Sequence, residues 1–249
     1  MTRLRTKSAL SATLVLLAAP FLVSAHSVSA QPKNGTANAA PNGAAKNSTA
    51  LTADKGSFRI LVSGQPAGKE DFEIKPSNGG WTVQGNSEIQ STDGTTRVSG
   101  TLELHADGTP ERYEWSTQGA KKASAAIVFN GGKATIELHL DGARPYTQEF
   151  TFDSPRVVVL DNNLYHQYIV LARLYDRDKG GLQSFAVLVP QELTPGTVTV
   201  ESLGTQGVDG KKLEQLRVKS EDLEINLLLD GQKLVRIVAP ESNAEILRQ

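Results

Sequence analysis

From Ser57 onward the chain alternates between apolar and polar positions with a period of two. Phe58, Ile60 and Val62 alternate with Arg59 and Leu61, and Phe72 and Ile74 with Asp71, Glu73 and Lys75. The pairs Trp81 and Val83, Leu102 and Leu104, and Tyr113 and Trp115 continue the habit. Short alternating runs mark strands with one buried face and one wet face. Between the runs lie Asn78-Gly79, Asp93-Gly94, Asp107-Gly108, Asn130-Gly131, Asp141-Gly142 and Asp230-Gly231. These dipeptides tolerate the positive φ of tight hairpins. The pattern predicts an antiparallel meander without a βαβ rhythm.

One stretch departs from it. Asn162 to Tyr175 places Leu164, Tyr168, Leu171 and Tyr175 on one face at about 100° per residue, and Tyr165, Ile169 and Ala172 widen that face. His166, Arg173 and Arg177 form a narrow polar stripe, Asp161 stands where an N-cap would, and Gly180-Gly181 lie beyond the end. An apolar arc this wide predicts a helix packed against much of the fold. Strand patterns then resume at Phe185–Val189, Val198–Val200, Leu216–Val218, Leu223–Leu229 and Leu234–Val238, with Ala244–Leu247 read as a short edge strand. About a dozen strands is large for a flat sheet. The predicted fold is mainly β: a large curved antiparallel sheet or partial barrel, with one helix packed on its concave side, formed by residues 57–249 as a single β-rich domain.

The N-terminal segment differs in kind. Arg3, Arg5 and Lys7 precede an apolar run from Ala9 to Val23, and small residues follow at Val23-Ser-Ala25 and Val28-Ser-Ala30. Residues 1–30 therefore read as a secretory signal peptide, cleaved after Ala25 or Ala30. The run is shorter than the roughly 20 residues that a membrane span needs. No transmembrane segment is expected in the mature chain, and a periplasmic or secreted location follows. Residues 31–56, rich in Ala, Asn, Gly, Thr and Pro, read as a flexible spacer.

Composition narrows the chemistry. Hydrophobic residues make up 39% of the chain, enough for a core, and there is no cysteine, which excludes disulfides and thiol chemistry. Removing residues 1–30 takes three of the 26 basic residues and none of the 27 acidic ones, so net charge moves from -1 to -4 (23 minus 27). A mildly acidic surface argues against nucleic acid as a partner.

Glu103-Leu-His105-Ala-Asp-Gly108 recurs 34 residues later as Glu137-Leu-His139-Leu-Asp-Gly142. Glu103 with His105, and Glu137 with His139, each share one face of a strand. Were the two strands neighbours, the four side chains would make a credible divalent-metal set. A solvated polar face explains them equally simply and is the preferred reading, so no metal or other cofactor is expected. The chain has no G-x-S-x-G elbow, H-E-x-x-H helix, phosphate loop or dinucleotide fingerprint, which weighs against an enzyme. His166 reads either as an acid–base group beside a cavity or as a boundary histidine hydrogen-bonded to the sheet.

Several segments carry a family resemblance: Gly64-Gln-Pro-Ala-Gly68 followed by Glu70–Ile74, the turn Asp107-Gly-Thr-Pro-Glu-Arg-Tyr113, Asp161–Tyr175, Phe185-Ala-Val-Leu-Val-Pro190 and Ile246-Leu-Arg248. In pattern, residues 57–249 resemble exported bacterial β-rich proteins that share a curved half-barrel with the LolA and LolB lipoprotein carriers. The resemblance implies a cleft between sheet and helix, and it brings no catalytic residues. The expected function is binding of a lipid, another lipophilic small molecule or an envelope component, with Tyr165, His166, Tyr168, Leu171 and Trp115 as ligand-binding candidates. The alternative is a structural or interaction module that meets another envelope protein through a sheet edge.

Overall fold

The computed structural model describes residues 51–249, apart from residues 93, 121 and 222. The expected signal peptide and residues 31–50 of the expected spacer lie outside the described residues. Eight strands come first: β1 (Asp54–Val62), β2 (Gln65–Ser77), β3 (Gly80–Ser91), β4 (Gly94–Leu104), β5 (Pro110–Gln118), β6 (Ala123–Asn130), β7 (Lys133–Leu140) and β8 (Tyr146–Thr151). Then come β9 (Val157–Val159), the helix α1 (Gln167–Leu174), and β10 (Gln183–Val189), β11 (Thr194–Val208), β12 (Lys211–Lys219), β13 (Glu224–Asp230), β14 (Lys233–Ala239) and β15 (Ala244–Arg248).

All fifteen strands belong to one sheet, in the order β8 to β1, then β15 down to β9. The chain steps outward from β1 to one edge, crosses to the other edge at β9, and steps back to meet its own first strand. Every pairing is antiparallel except β9 with β10. Ala244–Leu247 was expected at an edge. Instead β15 lies between β14 and β1, with Ile60 opposite Ile246 and Ile237 opposite Ile246 on the other side. It closes the seam between the two halves.

The connection from β8 to β9 dictates the curvature. Residues 152–156 join the two opposite edges of the sheet. Six chain steps from Thr151 to Val157 reach at most about 21 Å. In a flat sheet those edges would stand about 67 Å apart, at about 4.8 Å per strand. The sheet must therefore curl until its edges approach, and β9 does come into contact with β5. The edges do not pair, so the sheet stays open.

On the concave face the core is built from cross-strand rows. Ile74, Val83, Leu102, Tyr113, Ile127 and Ile136 are successive partners across β2 to β7, and all are buried. The neighbouring row runs Phe72, Gly85, Gly100, Trp115, Ala125, Leu138 and Tyr146. Gly85 and Gly100 stand side by side in it and leave a hollow in the sheet. Leu164 and His166 sit in that hollow. A Cβ on Gly100 would lie 2.7 Å from Leu164 Cδ1, and one on Gly85 would fall on the His166 ring.

Three expectations need correction. The helix is shorter than expected: residues 162–166 precede it as turns and irregular chain, and Asp161 is not its N-cap, because its carboxylate is engaged elsewhere. Of the polar stripe, only Arg177 is exposed, and it lies beyond the end of the helix; His166 and Arg173 are buried. Arg173 is only 8% exposed and donates to Asp54 Oδ2 at 3.0 Å and to the Thr52 carbonyl at 2.5 Å. Arg248 holds the other oxygen of Asp54 at 2.6 Å. A helix inside a curled sheet has no solvated side, so its polar residues need partners from other elements. Finally, the boundary drawn at residue 57 moves earlier: β1 begins at Asp54, and Leu51 is 2% exposed in the core.

Candidate functional site

The segment from Leu160 to Tyr175 presents two different sides to the two halves of the sheet. Toward β2–β5 it is polar. Glu70 comes from the inward-facing set of β2 that also holds Phe72 and Ile74. Its carboxylate accepts from Tyr165 N at 2.9 Å and His166 N at 3.4 Å, and lies 2.5 Å from His166 Nδ1. Both side chains are fully buried, and the His166 ring stacks on Phe72. A buried carboxylate is tolerated only with such partners.

Beside this pair, Asp161 accepts from Tyr113 Oη at 2.8 Å, Gln191 N at 3.0 Å and Asn162 N at 3.1 Å. Gln167 Oε1 accepts from Asp161 N at 2.5 Å. Burial pushes the Asp161 carboxyl up to about 6, against the pull of its three donors. Burial and the adjacent Asp161 charge push the Tyr113 phenol well above its ordinary range. Ser87 donates to the Asn163 carbonyl, and Asn163 adopts positive φ, so the turn before α1 is tied to β3 as well as to Glu70 on β2 and Tyr113 on β5.

Toward β10–β15 the same segment is aromatic. Tyr165 and Tyr168 face a cavity of about 80 Å³ whose wall includes Val187, Val198, Val218, Ile225, Ile237 and Ile246, one from each strand from β10 to β15. Asn162, Asn163, Glu192 and Ser220, all half-buried, add polar atoms to the lining. Asn162 Nδ2 donates to Glu192 Oε1 at 2.8 Å. Glu192 belongs to a 3-10 turn, Pro190–Glu192, followed by Leu193 in the left-handed region; Pro240–Ser242 with Asn243 repeats the arrangement between β14 and β15. Proline sets φ at the start of each turn.

The ligand-binding candidates separate accordingly. Tyr165 and Tyr168 line the cavity. His166 points away from it, into the Glu70 contact, and Leu171 is fully buried core. Trp115 lies on β5, in the other half of the sheet, and does not reach the cavity. The metal alternative is not assembled. Glu103 lies near the end of β4 while Glu137 and His139 lie on β7, and β5 and β6 intervene, about 14 Å at ordinary strand spacing. His139 pairs with its own neighbour Glu137 at 3.0 Å and His105 lies 4.0 Å from Glu111, all on the exposed surface.

Two residues of the buried network, Glu70 and Asp161, were not among the candidates. Glu70 was legible: continuing the Phe72–Ile74 alternation back by one step puts a carboxylate on the apolar face. The role of Asp161 was not, because its partners Tyr113 and Gln191 are 48 and 30 residues away.

No family model matches the chain, and a search of curated proteins finds no match.

Proposed function

We propose that the protein binds a lipophilic ligand, with an alkyl or acyl chain entering between α1 and strands β10–β15. The observation that supports this reading is the apolar cavity of about 80 Å³ walled by aliphatic side chains from β10–β15 and by two tyrosines. An apolar cavity of about 150 Å³ takes up benzene, so this volume suits a short length of a slender chain rather than a bulky ring system. Mostly apolar walls with a few polar groups are the usual make-up of a small-molecule site. The buried network around Glu70 and Asp161 flanks the site, and Glu70 accepts from the Tyr165 backbone N–H. The N-terminal sequence supports an exported setting, in which envelope lipids are the abundant source of such chains.

The test is to fill the cavity. Val218→Phe adds volume within its wall. In titration calorimetry with 1-decanol, the unmodified protein is expected to bind saturably and the variant at least tenfold more weakly, with circular dichroism confirming that the variant is folded. Equal binding by a folded variant would overturn the assignment of this cavity.

A further inference from the structure

The hydroxyl groups of the cavity say more about its ligand than its volume does. Tyr165 is more than nine-tenths buried and Tyr168 half-buried, and neither phenol oxygen has a hydrogen-bond partner among the described residues. Ser220 Oγ, also in the lining, is buried and without a partner. Buried polar atoms are ordinarily satisfied, so Ser220 Oγ marks a position where a ligand oxygen would sit, and the two phenol oxygens beside it are accessible donors with no protein partner among the described residues. Burial raises both phenols above their ordinary range, so they are present as O–H donors at neutral pH.

The charges of the cavity are one-sided. Asp161 and Glu192 are in its lining, and no lysine, arginine or histidine is. An anionic head group would meet two carboxylates with no cation to offset them. The carboxylates do not invite a cation either, since Asp161 already accepts from three protein donors and Glu192 from Asn162.

Building on the lipophilic reading, we infer that the site selects an uncharged amphiphile: an alkyl chain carrying an alcohol, ester or ketone oxygen, in preference to a fatty-acid anion, an anionic phospholipid or an alkylammonium. The chain fills the aliphatic wall, and the oxygen takes the hydroxyls of Tyr165, Tyr168 and Ser220.

A chain-matched series tests this on the purified full-length protein at pH 7.5: 1-decanol, methyl decanoate, decanoate and decylammonium, each by titration calorimetry. Decanol and methyl decanoate are expected to bind at least tenfold more tightly than either ion. The double variant Tyr165→Phe, Tyr168→Phe is expected to lose most of that preference, and Ser220→Ala part of it. Decanoate or decylammonium binding as tightly as decanol would overturn the inference while leaving a lipophilic site in place. If no member of the series binds, the lipophilic reading itself fails. The comparison among ligands needs only the unmodified protein, so it decides the question even if the double variant does not fold.

Discussion

At the scale of single residues, the interior of this protein is organised around carboxylates that a simple hydrophobic core would exclude. Glu70, Asp161 and Asp54 are all buried or nearly so at their side chains, and each has two or more donors. Asp161 makes a testable link to pH. Its folded-state pKa lies near 6, above the ordinary aspartate value of 3.8, because burial disfavours the charge. Between about pH 4 and pH 6 the folded protein holds a proton that the unfolded chain has released. Stability from this group is therefore greatest below about pH 4 and is lost as pH rises through 6, by on the order of 3 kcal/mol. Asp161→Asn is the appropriate control, since its amide can donate to Tyr113 Oη while its oxygen still accepts from Asn162 N and Gln191 N. The stability difference between wild type and Asp161→Asn, from urea unfolding, should shift against wild type by that amount between pH 4 and pH 7. A difference independent of pH would mean that the carboxylate is better solvated than its burial indicates.

At the scale of elements, the helix is held by its seat rather than by its own propensity. Eight residues with no side-chain N-cap bond would be marginal as an isolated helix. The turn ahead of it rests in the hollow at Gly85 and Gly100, two cross-strand partners whose missing side chains let His166 and Leu164 approach the backbone. Alanine at either position should cost about 1–3 kcal/mol through overpacking. Gly207→Ala, where an added Cβ meets nothing within 4 Å, should stay within about 0.5 kcal/mol of wild type. Thermal unfolding of the three variants checks this. Equal losses at Gly85 and Gly207 would show that the segment does not depend on the hollow. Gly85 also accounts for the location of the Glu70–His166 contact: a Cβ there would fall on the His166 ring and lie 2.8 Å from Glu70 Oε1.

At the scale of the whole molecule, the curl is imposed by connectivity. Opposite edges of a fifteen-stranded sheet are tied by five residues, and a segment inside the curve binds both halves. The chain has no cysteine, so Glu149→Cys on β8 and Ser184→Cys on β10 can be spin-labelled without background. The tether, plus two residues of strand on each side and one strand spacing, limits their separation to about 40 Å, against about 60 Å for a flat sheet. Pulsed electron–electron resonance is expected to give a principal distance below 40 Å; a maximum near 60 Å would mean that the sheet has opened.

Much of this architecture follows from local sequence. Period-two alternation and the Asn-Gly and Asp-Gly turns determine a meander of hairpins, because each strand pairs with the one next to it along the chain. The apolar arc of Asn162–Tyr175 determines that the one helical segment is buried. Extended by one step, the alternation in β2 also places Glu70 inside. Tertiary structure alone decides the rest. Nothing local tells β15 to pair with β1, since that contact joins residues nearly a whole domain apart and each strand is complete as a pattern without it. Nothing local says that Arg173 would find Asp54, or that Asp161 would leave the helix end for Tyr113. Which tyrosines line the cavity, and that Trp115 does not, depends on which half of the curled sheet each side of the segment faces. Periodicity reports whether a side chain is buried. What it is buried against is set by the closure of the sheet, which no single element contains.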